Sequence, residues 1–254
     1  MKNITLTFIL FLIVSTTYAV QEQHYDSIYV LGNTAYQNQK YDTALQNYSS
    51  ILDAGLESAD LFYNTANCYY KLNEPTKAIL YYEKALKTDP TNKDIQHNLE
   101  LSNKLIVDKI ESLPKPFFTN WWLTFINTFS VDVLSFLCIG FLSISVILLL
   151  VFFRTSSSLL KRISFFITLI SIIGSIATYI FAYSQYNYTH KSQNAIVFSK
   201  RVNIYSAPNT TSTTLFIVHD GLKVEIIESE NNWHKITLPD GSIGWITEES
   251  IVKI

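Results

Sequence analysis

Residues 133–153 read VLSFLCIGFLSISVILLLVFF, residues 154–162 read RTSSSLLKR and residues 163–183 read ISFFITLISIIGSIATYIFAY, and this stretch decides the architecture. No Asp, Glu, Lys or Arg occurs between Asp132 and Arg154, or between Arg162 and Lys191. A run of about 20 apolar residues, rising 1.5 Å per residue, crosses a ~30 Å hydrocarbon core. Neither run has a polar stripe at helical spacing, which a helix in a water-soluble protein would turn to solvent. Between them, Arg154, Lys161 and Arg162 share a short connection that has no acid. The positive-inside rule makes 154–162 a cytoplasmic loop between spans at 132–153 and 163–184, with the chain on either side facing outward.

Working outward, the beginning agrees with that topology. MKNITLTFILFLIVSTTYAV has Lys2, an apolar run from Ile4 to Val14, then Thr17-Tyr18-Ala19. That is the form of a secretory signal peptide over 1–19. Segment 112–131 contains Phe117, Phe118, Trp121 and Trp122, and Tyr183, Tyr186 and Tyr188 follow the second run. Aromatic residues there fit the interfacial belt of the outer face. The expected location is the bacterial inner membrane, two-pass, with both soluble domains periplasmic. Of the 254 residues only 16% are charged, against about 25% in an average soluble domain. The shortage sits in the two apolar runs, so a single soluble domain is excluded. A net charge of −2 offers nothing to nucleic acid.

Ahead of the spans lies an internal repeat. LGNTAYQNQKYDTALQNYSSIL (31–52) and TANCYYKLNEPTKAILYYEKAL (65–86) align without gaps at an offset of 34, pairing Asn33 with Asn67, Tyr36 with Tyr70, Ala44 with Ala78 and Tyr48 with Tyr82. Small residues at Gly32, Ala44, Ala66 and Ala78 sit where two amphipathic helices would cross closely. The pattern resembles the tetratricopeptide repeat, whose unit is 34 residues. Units of about 25–58 and 59–92 are expected within an α-helical domain over 24–111, with 94–111 as a helix covering the last repeat. Pro75 replaces the family's aromatic and is expected to loosen its turn. The resemblance implies a peptide- or protein-binding face lined by first helices, here Asn33, Tyr36, Gln37, Asn64, Asn67, Tyr70 and Lys71. Asn supplies both a donor and an acceptor to a ligand's amides. The same polar residues could equally just solvate a helix face.

Beyond the spans, residues 195–254 alternate apolar and polar residues in short runs, punctuated by Asp220-Gly221, Asn231-Asn232 and Asp240-Gly241. About five strands are expected. Val202-Asn203-Ile204-Tyr205, Trp233-His234-Lys235-Ile236 and Gly244-Trp245-Ile246 resemble the bacterial SH3-like domain, an all-β barrel that binds wall peptides or proteins. Tyr205, Trp233 and Trp245 either form its recognition surface or fill its core.

The five histidines are scattered without HxxxH spacing, and no CxxC, Walker or GxGxxG motif occurs. No metal, no cofactor and no catalytic set is expected. His219-Asp220 with His234 is the one pairing that could suggest acid–base work, but no nucleophile motif accompanies it. The full order (signal peptide, repeats, Pro-Lys-Pro-Phe-Phe with Trp121-Trp122, hairpin, SH3-like domain) resembles the BatE-type proteins of the Bacteroidetes aerotolerance operon. That resemblance implies a non-enzymatic membrane scaffold working with von Willebrand-type membrane proteins and a MoxR-type ATPase. A cell-wall sensor or anchor that binds peptidoglycan through its SH3-like domain is the alternative.

Overall fold

A computed structural model describes residues 24–110, 113, 129, 131–191 and 193–254. The signal peptide expected over 1–19 and most of the interfacial segment 112–131 lie outside the described residues. The described residues form three regions: a helical repeat region, a pair of long apolar helices and an antiparallel sheet.

The repeat region comprises α1 (24–37), α2 (Tyr41–Asp53), α3 (Ala59–Lys71), α4 (Pro75–Thr88) and α5 (Lys93–Asn103). The turn that ends α1 and the turn that ends α3 have the same construction. Gln39 and Asn73 adopt φ of 60° and 59°. At each, one N–H returns to the carbonyl three residues back (Gln39 to Tyr36, Asn73 to Tyr70). The next returns to the carbonyl five back (Lys40 to Ala35, Glu74 to Tyr69). This Schellman closure satisfies carbonyls that a helix end leaves unpaired. Pro75 does not loosen the turn. It occupies the first position of α4, where the absent N–H has no helical partner to lose. Inside the hairpins, Ala44, Ala66 and Ala78 are fully buried, and a Cβ on Gly32 would stand 2.5 Å from the Tyr48 ring. The expected helix over 94–111 stops at Asn103. Residues 104–110 run on without helix and lie against the sheet domain, which supplies the partners a further helical turn would otherwise need.

The apolar helices are α6 (Val131–Arg154) and α7 (Ser158–Lys191). Both are long and apolar enough to cross a membrane. Only 155–157 separate them, so the expected nine-residue loop is shorter, and Lys161 and Arg162 fall within α7. Charged side chains do not interrupt helical hydrogen bonding, so the helix outruns its apolar stretch at both ends. Where the helices meet, the Gly174 backbone faces the Phe141 ring. Ser171 donates to the Phe141 carbonyl at 2.7 Å and Ser175 to the Cys138 carbonyl at 3.3 Å. Away from that seam Phe136 and Phe153 are 75% and 78% exposed. Faces so apolar and so uncovered suit lipid rather than water.

The sheet domain has β1 (Asn194–Val197), β2 (Arg201–Tyr205), β3 (Thr214–His219), β4 (Lys223–Glu230), β5 (Trp233–Thr237), β6 (Ile243–Thr247) and β7 (Ile251–Lys253). Their order is β3-β2-β6-β5-β4-β1-β7, antiparallel throughout. Seven strands replace the expected five, since β1 and β7 are too short to display alternation. Gly221, Asn231 and Gly241, with φ of 90°, 50° and 85°, make the tight turns. Every strand contributes to one apolar core, among them Val197, Ile204, Val218, Val224, Ile236, Ile246 and Ile251, so the sheet curls around that core as a barrel. β1 packs on α4.

Candidate interaction surfaces

Three of the candidate asparagines form two separate rungs of a hydrogen-bond ladder, Asn33 with Asn64 in one and Asn67 in the next. Asn33 Oδ1 accepts from the Tyr48 hydroxyl at 2.7 Å and from Asn64 Nδ2 at 3.3 Å, while Asn64 Nδ2 also donates to the Tyr29 hydroxyl at 2.8 Å. The same chemistry recurs 34 residues on. Asn67 Oδ1 accepts from Tyr82 at 2.5 Å and from Asn98 Nδ2 at 3.2 Å, and Asn98 also donates to Tyr63 at 2.9 Å. Burial pushes the Tyr48 and Tyr82 phenols well up, so both remain donors at neutral pH. The ladder ties α1, α3 and α5 together side by side.

Asn33, Asn64 and Asn67 therefore hold the array in register, using the Oδ1 atoms of Asn33 and Asn67 and leaving their NH₂ groups out of the ladder. Tyr36 and Tyr70 are half-buried at equivalent positions, with Tyr36 edge-on to Tyr41 at 5.3 Å, and Gln37 and Lys71 are exposed. Tyr29, Tyr63 and Asn98 are members that sequence reasoning missed. The signal was present, since Tyr29 aligns with Tyr63 and Asn64 with Asn98 at the repeat offset.

On the barrel, Tyr205, Trp233 and Trp245 gather on strands β2, β5 and β6. Tyr205 pairs with Trp245 across the sheet, and its ring meets Trp233 edge-on at 5.6 Å. Trp245 is 8% exposed and has Lys235 Nζ 5.9 Å from its ring, whereas Tyr205 and Trp233 stay partly exposed. None of the three belongs to the central barrel core.

The histidines do not assemble. His219 Nδ1 lies 2.9 Å from Asp108, Asp220 accepts from Thr76, and His234 Nδ1 lies 2.7 Å from Ser229 Oγ. Burial lowers the His234 pKa, with Lys253 adding to the effect and Glu248 opposing it. Among the described residues no group of three His, Cys, Asp or Glu side chains converges on a point.

These two surfaces coincide with two family matches. Residues 29–93 match the tetratricopeptide repeat family, and residues 199–253 match the bacterial SH3 domain family. The chain carries a tetratricopeptide repeat region and a bacterial SH3 domain. No curated protein matches it. A repeat module of a protein-interaction family and a domain of a cell-wall-binding family, beside two helices apolar enough to cross a membrane, support an interaction scaffold.

Proposed function

We propose that the chain is a two-pass inner-membrane adaptor that holds a partner protein at the periplasmic side, without catalysis of its own. The observation that carries this reading is the face of α1, α3 and α5. Its Tyr29, Tyr63 and asparagine carboxamides are ordered by the ladder, while on the opposite side α4 is covered by the SH3 domain. Such a face suits a neutral extended segment whose backbone amides pair with carboxamide groups. Tyr36, Gln37, Tyr70 and Lys71 are the residues assigned to contact it, with Asn33, Asn64 and Asn67 supporting them. The resemblance to BatE-type proteins points to a von Willebrand-type membrane protein as the partner, within an aerotolerance complex.

Photo-cross-linking from intact membranes tests this, with the probe at Gln37. A discrete protein adduct is expected, and Tyr36→Ala with Tyr70→Ala lowers its yield at least tenfold. No adduct, or an unchanged yield, overturns the reading. Asn33 and Asn67 are unsuitable for this purpose because their loss would disturb the fold.

A second reading, wall attachment through the SH3 domain, is favoured by the partly exposed Tyr205–Trp233 pair beside Lys235 and Trp245. Co-sedimentation of the detergent-solubilised chain with purified peptidoglycan, lost in Trp233→Ala, supports it. No sedimentation of the unaltered chain rules it out.

A further inference from the structure

An array of tetratricopeptide type buries its core by stacking, and about three units are needed before it stands alone. The described residues form two and the helix α5. The outward stripe of α4 is Thr76, Leu80, Glu83 and Lys87, spaced to fall on one helix face. All four are engaged by the SH3 domain. Thr76 Oγ1 donates to Asp220 at 2.7 Å, Glu83 pairs with Lys223 at 2.6 Å, and Lys87 Nζ donates to the terminal Ile254 carbonyl at 2.8 Å. Leu80 shares an apolar cluster with Ile79, Ile95, Leu99 and the SH3-side residue Ile196.

Strand β1 explains how one residue serves another module's core. Side chains alternate along a strand, so Ala195 and Val197 enter the barrel core while Ile196 enters the repeat cluster, and all three are completely buried. The exchange runs both ways. In the segment after α5, Ile110 packs against the barrel core, and Asp108 accepts from the His219 N–H at 2.5 Å. Further along, the Leu113 N–H donates to the Pro239 carbonyl at 3.0 Å. Ile196, Asp108 and Ile110 all lie outside the two family-matched ranges, 29–93 and 199–253. Much of the join is therefore built from residues that neither module requires for its own pattern.

We propose that the SH3 domain acts as the capping unit of the repeat array, completing with α5 a stack that two repeats alone leave unfinished. This role goes beyond the adaptor reading and does not depend on what either open surface binds. It makes the repeat region and the barrel a single cooperative unit, so that damage on the barrel side of the join loosens helices on the repeat side.

Cys68 reports on this without any partner present. It is fully buried within the first-repeat cluster of Ala35, Ala44 and Tyr48, and burial pushes its thiol up to about 12, so it reacts only when the array opens. The full chain in membrane vesicles is pulsed with a maleimide, and the Cys68 peptide is quantified by mass spectrometry. Ile196→Asp raises the labelling rate at least tenfold and Lys223→Glu at least fivefold. Hydrogen exchange over β5 and β6 confirms that the barrel remains folded. Combining Lys223→Glu with Glu83→Lys brings the rate back towards that of the unaltered chain. A Cys68 rate within twofold of the unaltered chain in both single variants overturns the proposal, as does failure of the charge swap to restore it.

Discussion

The first and second repeats share their interior down to single hydrogen bonds and differ along one outer stripe. In each, a buried tyrosine (Tyr48, Tyr82) donates to an asparagine fifteen residues earlier, and a left-handed residue closes the first helix. On the outside, Asp42, Gln46, Ser49 and Asp53 of α2 align with Thr76, Leu80, Glu83 and Lys87 of α4. The first set faces solvent or is half-exposed, and the second is covered by the SH3 domain. Interior positions of a repeat thus specify the unit, while the outward stripe specifies its neighbour. One change from polar to apolar at Gln46/Leu80 marks which unit is to be covered.

The largest expected effect tests the shared interior. Tyr48→Ala and Tyr82→Ala each remove a ring that is 1% exposed, and each should cost about 3–5 kcal/mol in urea denaturation followed by helical circular dichroism. Costs that differ by more than half would break the equivalence of the two units.

Next comes the outer stripe, where the repeats should respond oppositely to exchanged residues. Leu80→Gln, which imports the residue of the first repeat, should cost about 2 kcal/mol through lost apolar burial. The reciprocal Gln46→Leu should stay within about 0.5 kcal/mol of neutral. Equal effects would show that the stripe is not what distinguishes the units.

A pH series tests whether a titration in the barrel reaches the repeats. His234 has its pKa lowered from 6.5 by burial, so the unfolded barrel takes up a proton at a pH where the folded one does not. Barrel stability is thus full above about pH 6.5 and is lost as pH falls through the folded value. The buried Tyr48, Tyr82 and Cys68 of the repeats are shifted upward and stay neutral over the same window. Hydrogen exchange at pH 7.5 and 5.5 should therefore show protection falling in the barrel and, through the shared join, in the repeats as well; repeats that stay unchanged while the barrel opens would break the cooperative unit. His234→Gln should flatten the barrel's response.

The smallest effect lies at the helix ends. Gln39→Gly should stabilise by about 0.5–1 kcal/mol, because a left-handed backbone strains a residue with a Cβ. Asn73→Gly should gain only a few tenths, since Asn tolerates that region better. Thermal melting resolves the order, and a larger gain at Asn73 would reverse it.

Much of this architecture is legible in the sequence because it is written in periodic patterns. The two uncharged runs, the offset of 34 and the Asp-Gly turns each need only a short window of sequence to be recognised. Candidate residues are legible in part. The alignment picks out Asn33, Asn64 and Asn67, but their service to Tyr29, Tyr48 and Tyr82 emerges only when three helices stand side by side. The end of α5 escapes the pattern for a related reason. Residues 104–110 have an apolar pattern that a helix could use, and Ile110 and Asp108 instead meet the distant barrel, Asp108 at a partner 111 positions away in sequence.

The pair of long apolar helices, the repeat unit and the β domain thus follow from sequence alone, since each rests on side-chain chemistry written into a short stretch or recurring at the period of a strand or a 34-residue unit. That the repeat and β domains join as one body is settled only in three dimensions. The join depends on Ile196 lying in the repeat core and Ile110 against the barrel core. Each is an ordinary apolar residue whose destination is set by the surface it meets in space.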